Sequence, residues 1–206
     1  MRLPELRALA RRLAREGAED YLVRAADASF EERLLQGMVI GYARMDDTVR
    51  RAALERFLPK IDSWSVCDSA CVTCRFFAQA PDVWFDWLAA LTRRPEEFQV
   101  RFGLVSLLDH FVRPGPESAR RVLAVCAEVR HEAYYARMAN AWAIAECAAV
   151  IPDEVVCLLQ NGGLDDFTRK MAVRKACESF RVSAEDKARL RALRGQAANA
   201  KRSDPS

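Results

Sequence analysis

This sequence has little of what marks a secreted, membrane or metal-binding protein. No apolar run reaches the roughly 18 residues that a membrane-spanning helix needs, and the chain has only two histidines. The seven cysteines are odd in number, lie within helical apolar periodicity and follow no secretory signal, which argues against a disulfide framework. We therefore expect reduced thiols, a cytoplasmic location and no contact with a membrane.

Three of the cysteines have a spacing that is compatible with metal binding. Cys67, Cys71 and Cys74 lie at i, i+4 and i+7 and could supply ligands, but no second Cys or His cluster accompanies them, and His110 and His131 stand alone. Small buried side chains are the simpler interpretation. The sequence therefore predicts no metal and no other cofactor.

The composition is that of an ordinary globular protein. With 206 residues, 51% hydrophobic and 30% charged, the chain can bury a substantial core, and one domain is the default expectation. A net charge of +3 is too small to indicate a polyanionic partner by itself. What matters is whether the basic residues gather on one surface.

The hydrophobic pattern is helical throughout, with no strand-like alternation. Gly17 ends a first helix, Ser29 with Glu32 reads as a capping box, and Pro81 and Pro95 open two further helices. Polar residues 196–206 are expected to form a disordered tail. The remaining predicted helices cover about 19–25, 29–44, 46–58, 61–78, 116–130, 133–150, 152–160, 165–181 and 183–194.

The helices that begin near 29, 64, 97, 133 and 166 are about 35 residues apart, and a second helix fits into every interval. This rhythm is typical of a helical-repeat solenoid, in which one helix of each pair lines a concave surface. An irregular all-helical bundle is the alternative. The predicted fold class is thus all-α, an α-solenoid of helical repeats.

The helix that opens at 61–68 and continues to about Ala78 carries a tryptophan and a carboxylate one turn apart. At 100° per residue, four side chains share a narrow sector beside an apolar stripe. These are Trp64, Asp68, Cys71 and Arg75. Taken alone, a tryptophan covering the helix start and an ordinary surface acid would explain the first two.

Other predicted concave helices add polar and aromatic side chains. The next ones contribute Arg101, Tyr135, Met138, Trp142 and Ala145, and the helix after Gly163 carries a basic row. That row consists of Lys170, Arg174 and Arg181, with Arg169 and Lys175 close by. A basic strip indicates phosphate binding, although a solvated face would explain this helix alone. A carboxylate in such a groove suggests a cationic substrate or a transition state that develops positive charge.

Four segments, in order and spacing, resemble the AlkD-type DNA alkylation repair family. They are DSWSVCD at 62–68, QVRFG at 99–103, YY at 134–135 with NAW at 140–142, and KACES at 175–179. The segment Arg2–Arg7 is similar to one that lies some way inside family members. The resemblance therefore implies one HEAT-like domain over 1–195 that lacks the first helices of the usual domain.

The resemblance implies a monofunctional DNA glycosylase that excises N3- or N7-alkylated purines and leaves an abasic site, without flipping the base into a pocket. Asp68 would be the catalytic carboxylate, Trp64 and Trp142 would flank the lesion deoxyribose, and Arg101 would hold a phosphate. The partner would be alkylated double-stranded DNA, bound by a monomer. The expected DNA-contacting residues are Arg75, Arg101, Tyr135, Lys170, Arg174, Lys175 and Arg181.

One position departs from the family pattern, because Ala145 stands where better-known members have an arginine one turn after the second tryptophan. This departure, the modest net charge and the short N-terminus favour an alternative function. In that alternative the chain is a non-catalytic HEAT-like module that binds nucleic acid or protein through the same strip.

Overall fold

The computed structural model describes the backbone of residues 2–161 and 163–200, and the side chains of these residues up to 193. The described residues form α-helices and one short 3-10 helix, Leu58–Lys60, and they contain no strand. The predicted all-α class is confirmed. The α-helices are α1 (Leu3–Glu16), α2 (Ala18–Arg24), α3 (Phe30–Tyr42), α4 (Asp47–Phe57), α5 (Trp64–Cys71), α6 (Phe76–Gln79), α7 (Pro81–Leu91), α8 (Glu97–Phe111), α9 (Pro116–Glu128), α10 (Tyr134–Cys147), α11 (Pro152–Asn161), α12 (Asp166–Glu178) and α13 (Ala184–Ala200).

The chain divides into two compact units between Asp109 and His110, inside α8. In the first unit α3 packs on both α1 and α5, and in the second α10 packs on α9 and α12. The single domain predicted over 1–195 stays a prediction. So does the solenoid with its concave face.

The first residues of five helices nevertheless show the predicted spacing of about 35 residues. Helices α3, α5, α8, α10 and α12 begin at residues 30, 64, 97, 134 and 166. Side-chain hydrogen bonds recur at a similar separation, for example 33 residues from Asp68 to Arg101, 34 from Arg120 to Glu154 and 36 from Asp153 to Arg189. Each unit thus joins helices about one interval apart, as expected when repeated helix pairs stack.

Two glycines on α3 let α5 and the turn after it approach closely. A Cβ added at Gly37 would lie 2.7 Å from the Cβ of Ala70, and one added at Gly41 would lie 2.0 Å from the Oγ1 of Thr73. Real Cβ atoms do not approach other atoms so closely. Larger side chains at these two positions would push α5, and the side chains it carries, away from α3.

The predicted helix over 61–78 is wrong at residues 61–63, which precede α5, and at residues 72–75, where α5 has ended and α6 has not begun. The Thr73 hydroxyl donates to the Ala70 carbonyl at 2.7 Å, and the amides of Thr73 and Cys74 bond to carbonyls three residues back. These short-range bonds replace the helical ones. Arg75 therefore lies outside α5, so the angular argument that placed it beside Trp64 and Asp68 does not apply.

Most helix-start signals act as predicted. The Ser29 Oγ accepts a hydrogen bond from the Glu32 amide, but the Glu32 carboxylate accepts one from the Ala26 amide, so the reciprocal half of the capping box is displaced. At the other end of the chain, α13 continues to Ala200, past the point where a disordered tail was predicted to start. Residues 201–206 of that predicted tail lie outside the described residues.

All seven cysteines are free, and five of them are buried. Burial raises the pKa of the Cys67, Cys74 and Cys126 thiols well above their ordinary value. It raises the pKa of Cys147 to about 12. The described residues hold no group of three or more His, Cys, Asp or Glu side chains placed to bind a metal ion. Within the same residues, none of the helices has both the length and the apolar character that crossing a membrane requires.

Because the thiolate is the reactive form, we expect one fast thiol in the native protein, that of the exposed Cys157. The half-buried Cys177 should react more slowly, and the other five cysteines only after unfolding. A time course with an aromatic disulfide reagent, with and without denaturant, measures this. Cys157→Ser should remove the fast phase. Rapid native modification of the buried cysteines would contradict the packing described here.

Candidate active site

Helix α5 begins at Trp64 because Ser63 caps it. The Ser63 Oγ accepts a hydrogen bond from the Val66 amide at 3.5 Å, which satisfies one donor of the first turn. Trp64 is 52% exposed, unusually high for an indole, and Asp68 follows one turn later on the same helix. Cys67 and Cys71 are buried, so the two apolar cysteines anchor the helix while Trp64 and Asp68 stay accessible.

The Asp68 carboxylate forms a bidentate ion pair with Arg101 of α8. Arg101 Nε donates to Oδ1 at 2.8 Å and Nη2 donates to Oδ2 at 2.7 Å. The Arg101 side chain is 8% exposed and that of Asp68 is 23% exposed. A paired guanidinium fixes both the position and the plane of a carboxylate. Arg101 thus orients the Asp68 carboxylate, which is still accessible to solvent.

Burial by itself would lower the pKa of Arg101, but the hydrogen bonds and the charge of Asp68 outweigh burial and raise it above its ordinary value. The guanidinium therefore stays protonated. Two thiols reinforce the contact between the helices, because Cys67 Sγ donates to the Phe98 carbonyl at 3.9 Å and Cys71 Sγ to the Phe102 carbonyl at 3.7 Å. These bonds hold α5 against α8 on either side of the ion pair.

A pocket of about 270 Å³, called here the Trp64 pocket, opens beside this carboxylate. It lies among α1, α3 and α5. Its lining residues are Leu3, Leu6, Phe30, Glu31, Leu34, Trp64, Ser65, Asp68 and Ser69. A larger pocket of about 550 Å³ in the same unit lies among α2, α3 and α4 and includes neither Trp64 nor Asp68.

The two predicted DNA-contacting arginines of the first unit differ in their exposure to solvent. Arg75 is exposed and lies at the start of α6. Arg101 is nearly buried and bonded to Asp68. A phosphate would have to compete with this carboxylate for the Arg101 donors, so the structure offers Arg101 a second role that the sequence did not suggest.

In the second unit, α10 carries Trp142 and Tyr135, both half-buried. The Lys175 ammonium of α12 lies 5.8 Å from the centroid of the Trp142 ring, within cation–π range. The predicted tryptophan and one predicted basic residue are therefore neighbours. Arg181 forms a short hydrogen bond with Glu146, one turn after Trp142.

The predicted basic row is interleaved with acids. Lys170 Nζ lies 3.7 Å from Asp166, Arg174 Nε lies 2.9 Å from Glu178, and Arg181 pairs with Glu146. Hydrogen bonding to Glu178, together with its charge, raises the pKa of Arg174. The row is thus a set of exposed or partly exposed ion pairs, and its local charge is smaller than the basic residues alone suggest.

Ala145, the departure from the family pattern, is 3% exposed. Its neighbours on α10, Ala141 and Ile144, are buried as well. An arginine at this position would have to displace neighbouring side chains before its guanidinium reached solvent. The alanine is therefore suited to its local packing.

The structure brings together Trp64, Asp68 and Arg101 in the first unit, and Trp142 with Lys175 in the second. The predicted convergence of the two sets on one DNA site stays a prediction. The ion pair between Asp68 and Arg101 was missed in the sequence. The signal that could have revealed it is a pair of opposite charges separated by 33 residues, close to the repeat interval.

The model of a protein family described as DNA alkylation repair enzyme matches residues 1–180 of the chain. The match covers both the α5–α8 ion pair and the α10 tryptophan. Comparisons with curated proteins and with solved structures found no match.

Proposed function

Because this chain belongs to the DNA alkylation repair enzyme family, we propose that it is a monofunctional DNA glycosylase. Its substrate is double-stranded DNA that contains purines alkylated at N3 or N7. It hydrolyses the bond between the alkylated base and deoxyribose, and it releases the free base without flipping it into a base-reading pocket. Asp68 supplies the catalytic carboxylate, and no cofactor takes part.

The observation that supports this proposal most strongly is the setting of Asp68. Its carboxylate is held at both oxygens by a guanidinium, remains partly exposed and follows an exposed tryptophan by one turn. Glu55 is also held at both oxygens by an arginine, Arg94, but the indole beside it, Trp87, is buried, whereas the indole beside Asp68 is exposed. A preorganised carboxylate with an open face is what a developing positive charge requires.

The chemistry needs little more than that carboxylate. An alkylated purine is already cationic and leaves readily, so no residue has to protonate it. As the bond from C1′ to nitrogen breaks, positive charge develops on the sugar, and Asp68 stabilises that charge and orients the attacking water. By analogy with one preorganised electrostatic group, this contribution is about 3–4 kcal/mol.

Two tryptophans assist in this proposal. The faces of Trp64 and Trp142 attract cations and sugar C–H groups, with about 0.5–2 kcal/mol for each cation contact. The contact between Lys175 and Trp142 leaves a cation beside that ring. In the proposed complex, Lys175 is therefore placed to meet a phosphate where Trp142 meets the sugar.

Arg101 acts in this proposal as a positioning residue. Its hydrogen bonds to both Asp68 oxygens orient the carboxylate, and its side chain has little exposed surface for the phosphate contact that the resemblance implies. A lysine could not reproduce this geometry, because a single ammonium lacks the planar fork of donors. The role of Arg101 in catalysis is thus exerted through Asp68.

The remaining predicted contacts are proposed to bind the DNA backbone. The ion pairs of Lys170, Arg174 and Arg181 do not prevent this, because exposed pairs contribute little and a phosphate can replace the carboxylate. Phosphate contacts position the protein without reading sequence. The residues are Arg75, Tyr135, Lys170, Arg174, Lys175 and Arg181.

We expect Arg174→Glu to weaken binding to damaged and intact duplexes equally and to lower the salt dependence of binding by about one counterion. Arg120→Glu is the matched control, since Arg120 is also exposed and lies 2.8 Å from a single acid, Glu154. Both changes alter the net charge equally. Fluorescence anisotropy at several salt concentrations measures the affinities. Equal losses in the two variants would contradict a specific contribution from Arg174.

The experiment that tests the proposed function is base release. Duplex DNA containing 7-methylguanine or 3-methyladenine is incubated with the protein, and the free base is quantified by chromatography. Release above the spontaneous rate supports the glycosylase. Tight retention of the DNA without release identifies the non-catalytic module instead, and the absence of salt-dependent DNA binding identifies a protein-binding scaffold.

A further inference from the structure

An exposed aromatic side chain lies near each end of helix α12. Tyr134 of α10 is 52% exposed and lies beside the first turn of α12, where its ring centroid is 5.6 Å from that of Phe167. On its other side the Tyr134 ring makes an edge-to-face contact with Tyr135, at 5.2 Å. These two neighbours hold the Tyr134 ring in place while half of its surface stays accessible to a ligand.

At the other end, Phe180 follows the last residue of α12 by two positions and is fully exposed. The turn that carries it is nevertheless fixed. The Ser179 Oγ accepts a hydrogen bond from the Arg181 amide at 3.2 Å, and Val182, the next residue, is buried. Burying a phenylalanine stabilises a fold, but the packing of this fold does not use the Phe180 ring. Both faces of the ring are therefore open to a ligand.

Basic side chains lie on α12 between these two rings. Phe167, Lys170 and Arg174 are spaced at i, i+3 and i+7 and so share one face of the helix, on which both cations are exposed. Phe167 and Phe180 are 13 positions apart, which corresponds to about 20 Å along a helix axis. Stacked nucleotides of one strand are about 3.4 Å apart. The distance between the two ends is therefore that of about six nucleotides.

Cations on a strip with aromatic rings at its ends are typical of surfaces that bind single-stranded nucleic acid. The cations contact phosphates, and bases stack on the rings. The nature of the strand matters, because a duplex keeps the faces of its bases inside its own stack. Exposed rings such as those of Tyr134 and Phe180 therefore gain most from bases that are unpaired.

We propose that this surface, called here the α12 strip, binds a single strand of DNA over about six nucleotides. One base stacks on Tyr134, another stacks on Phe180, and two cations of α12 bind phosphates between them. The α12 strip consists of Tyr134, Phe167, Lys170, Arg174 and Phe180.

This inference goes beyond the proposed glycosylase, whose substrate is double-stranded DNA. It rests on that proposal in two respects. The choice of DNA follows from the family to which the chain belongs, and Lys170 and Arg174 are also proposed contacts of the duplex. A single strand and a duplex would therefore compete for these two cations.

Stacking has to contribute much of the affinity for a single strand. Lys170 and Arg174 are paired with Asp166 and Glu178, at 3.7 and 2.9 Å, and a phosphate has to replace these acids. Two phosphate contacts give a slope of only about −1.4 in a plot of log affinity against log salt concentration. Removing the bases should thus weaken binding more than a moderate increase in salt does.

The test uses the whole chain and fluorescence anisotropy with two labelled strands of equal length and charge. One is an oligothymidylate of about eight nucleotides, long enough to cover the α12 strip. In the other, tetrahydrofuran units replace the nucleosides, so that the phosphates remain and the bases are absent. We expect the oligothymidylate to bind about tenfold more tightly, the factor that about 1.4 kcal/mol gives. Equal binding of the two strands, or no binding of the oligothymidylate, would overturn the proposal.

A pair of variants at Phe180 locates the base contact. Phe180→Leu keeps an apolar side chain but removes the aromatic face, whereas Phe180→Tyr keeps that face. Because the ring is fully exposed, neither change should alter the thermal melt. We expect Phe180→Leu to weaken oligothymidylate binding about tenfold and Phe180→Tyr to retain the wild-type affinity. Equal affinities of the two variants would overturn the assignment to the α12 strip.

The two proposals of function fail separately. Base release from alkylated duplex DNA is measured on the same wild-type preparation. Base-dependent binding of the single strand without base release removes the glycosylase but leaves the α12 strip, whereas base release without such binding does the opposite.

Discussion

Asp68→Asn is expected to lower the single-turnover rate of 7-methylguanine release by about 10²–10³-fold. Asparagine keeps the size of the side chain but removes the negative charge that would stabilise the sugar cation. It also turns one acceptor into a donor, so an amide N–H would face a donor of Arg101 where the carboxylate now accepts two hydrogen bonds. Catalysis should fall for both reasons, whereas DNA affinity should change little.

A second acid in the same unit provides the matched control. Glu55 is held at both oxygens by Arg94, at 3.0 and 2.9 Å, as Asp68 is held by Arg101. Glu55 does not line the Trp64 pocket. Glu55→Gln should therefore retain the wild-type rate. A similar loss of activity in both variants would mean that the Asp68 effect comes from a disturbed fold.

Arg101→Met is expected to lower the rate of base release at saturating protein while leaving DNA affinity nearly unchanged. This result distinguishes the positioning role from the phosphate contact that the family resemblance implies. A residue that only holds phosphate would show the reverse, with weaker binding and a nearly normal rate at saturation. Arg101→Lys should restore part of the rate, because it returns the charge without the two-pronged geometry.

Arg101→Met should also destabilise the protein. Removing the guanidinium leaves the Asp68 carboxylate partly buried without its partner, and we expect a loss of about 2–3 kcal/mol, somewhat below the cost of breaking a fully buried pair. Arg94→Met is the control and should cost about 1 kcal/mol or less, because both partners of its ion pair are about one-third exposed. Urea unfolding of the two variants measures the difference.

Local signals in the sequence predict much of this fold. Ser29, Ser63 and Asp165 cap their helices through side-chain oxygens, and Pro81 and Pro116 occupy first helical positions. These signals depend on residues a few positions apart. For that reason the helix starts near 29, 64, 97, 133 and 166 could be placed within a residue or two.

The break after Cys71 could not be predicted in this way, because its cause lies in another helix. Thr73 turns back onto the Ala70 carbonyl and packs against Gly41 of α3, 32 positions earlier in the sequence. A periodicity argument extends the helix through these residues. The same limit applied to Arg75, whose predicted place beside Asp68 depended on an unbroken helix.

The candidate site was predicted in part. Trp64 and Asp68 follow from their spacing on α5, but the partner of Asp68 lies 33 residues further on. Helical periodicity cannot identify such a pair, whereas a repeat interval near 35 residues does suggest where to look for it. The acids that pair with Lys170 and Arg174 lie four residues away on the same helix, and the acid that pairs with Arg181 lies on α10, so a row of basic residues does not by itself reveal them.

The central claim is that Arg101 promotes base release only through the Asp68 carboxylate. The most direct measurement is a double-mutant cycle of single-turnover release rates for the wild type, Asp68→Asn, Arg101→Met and the double variant. We predict that the double variant is no slower than Asp68→Asn alone, because an arginine with no carboxylate to orient has nothing left to contribute. If the two losses multiply, or if Asp68→Asn releases base at the wild-type rate, the account is contradicted.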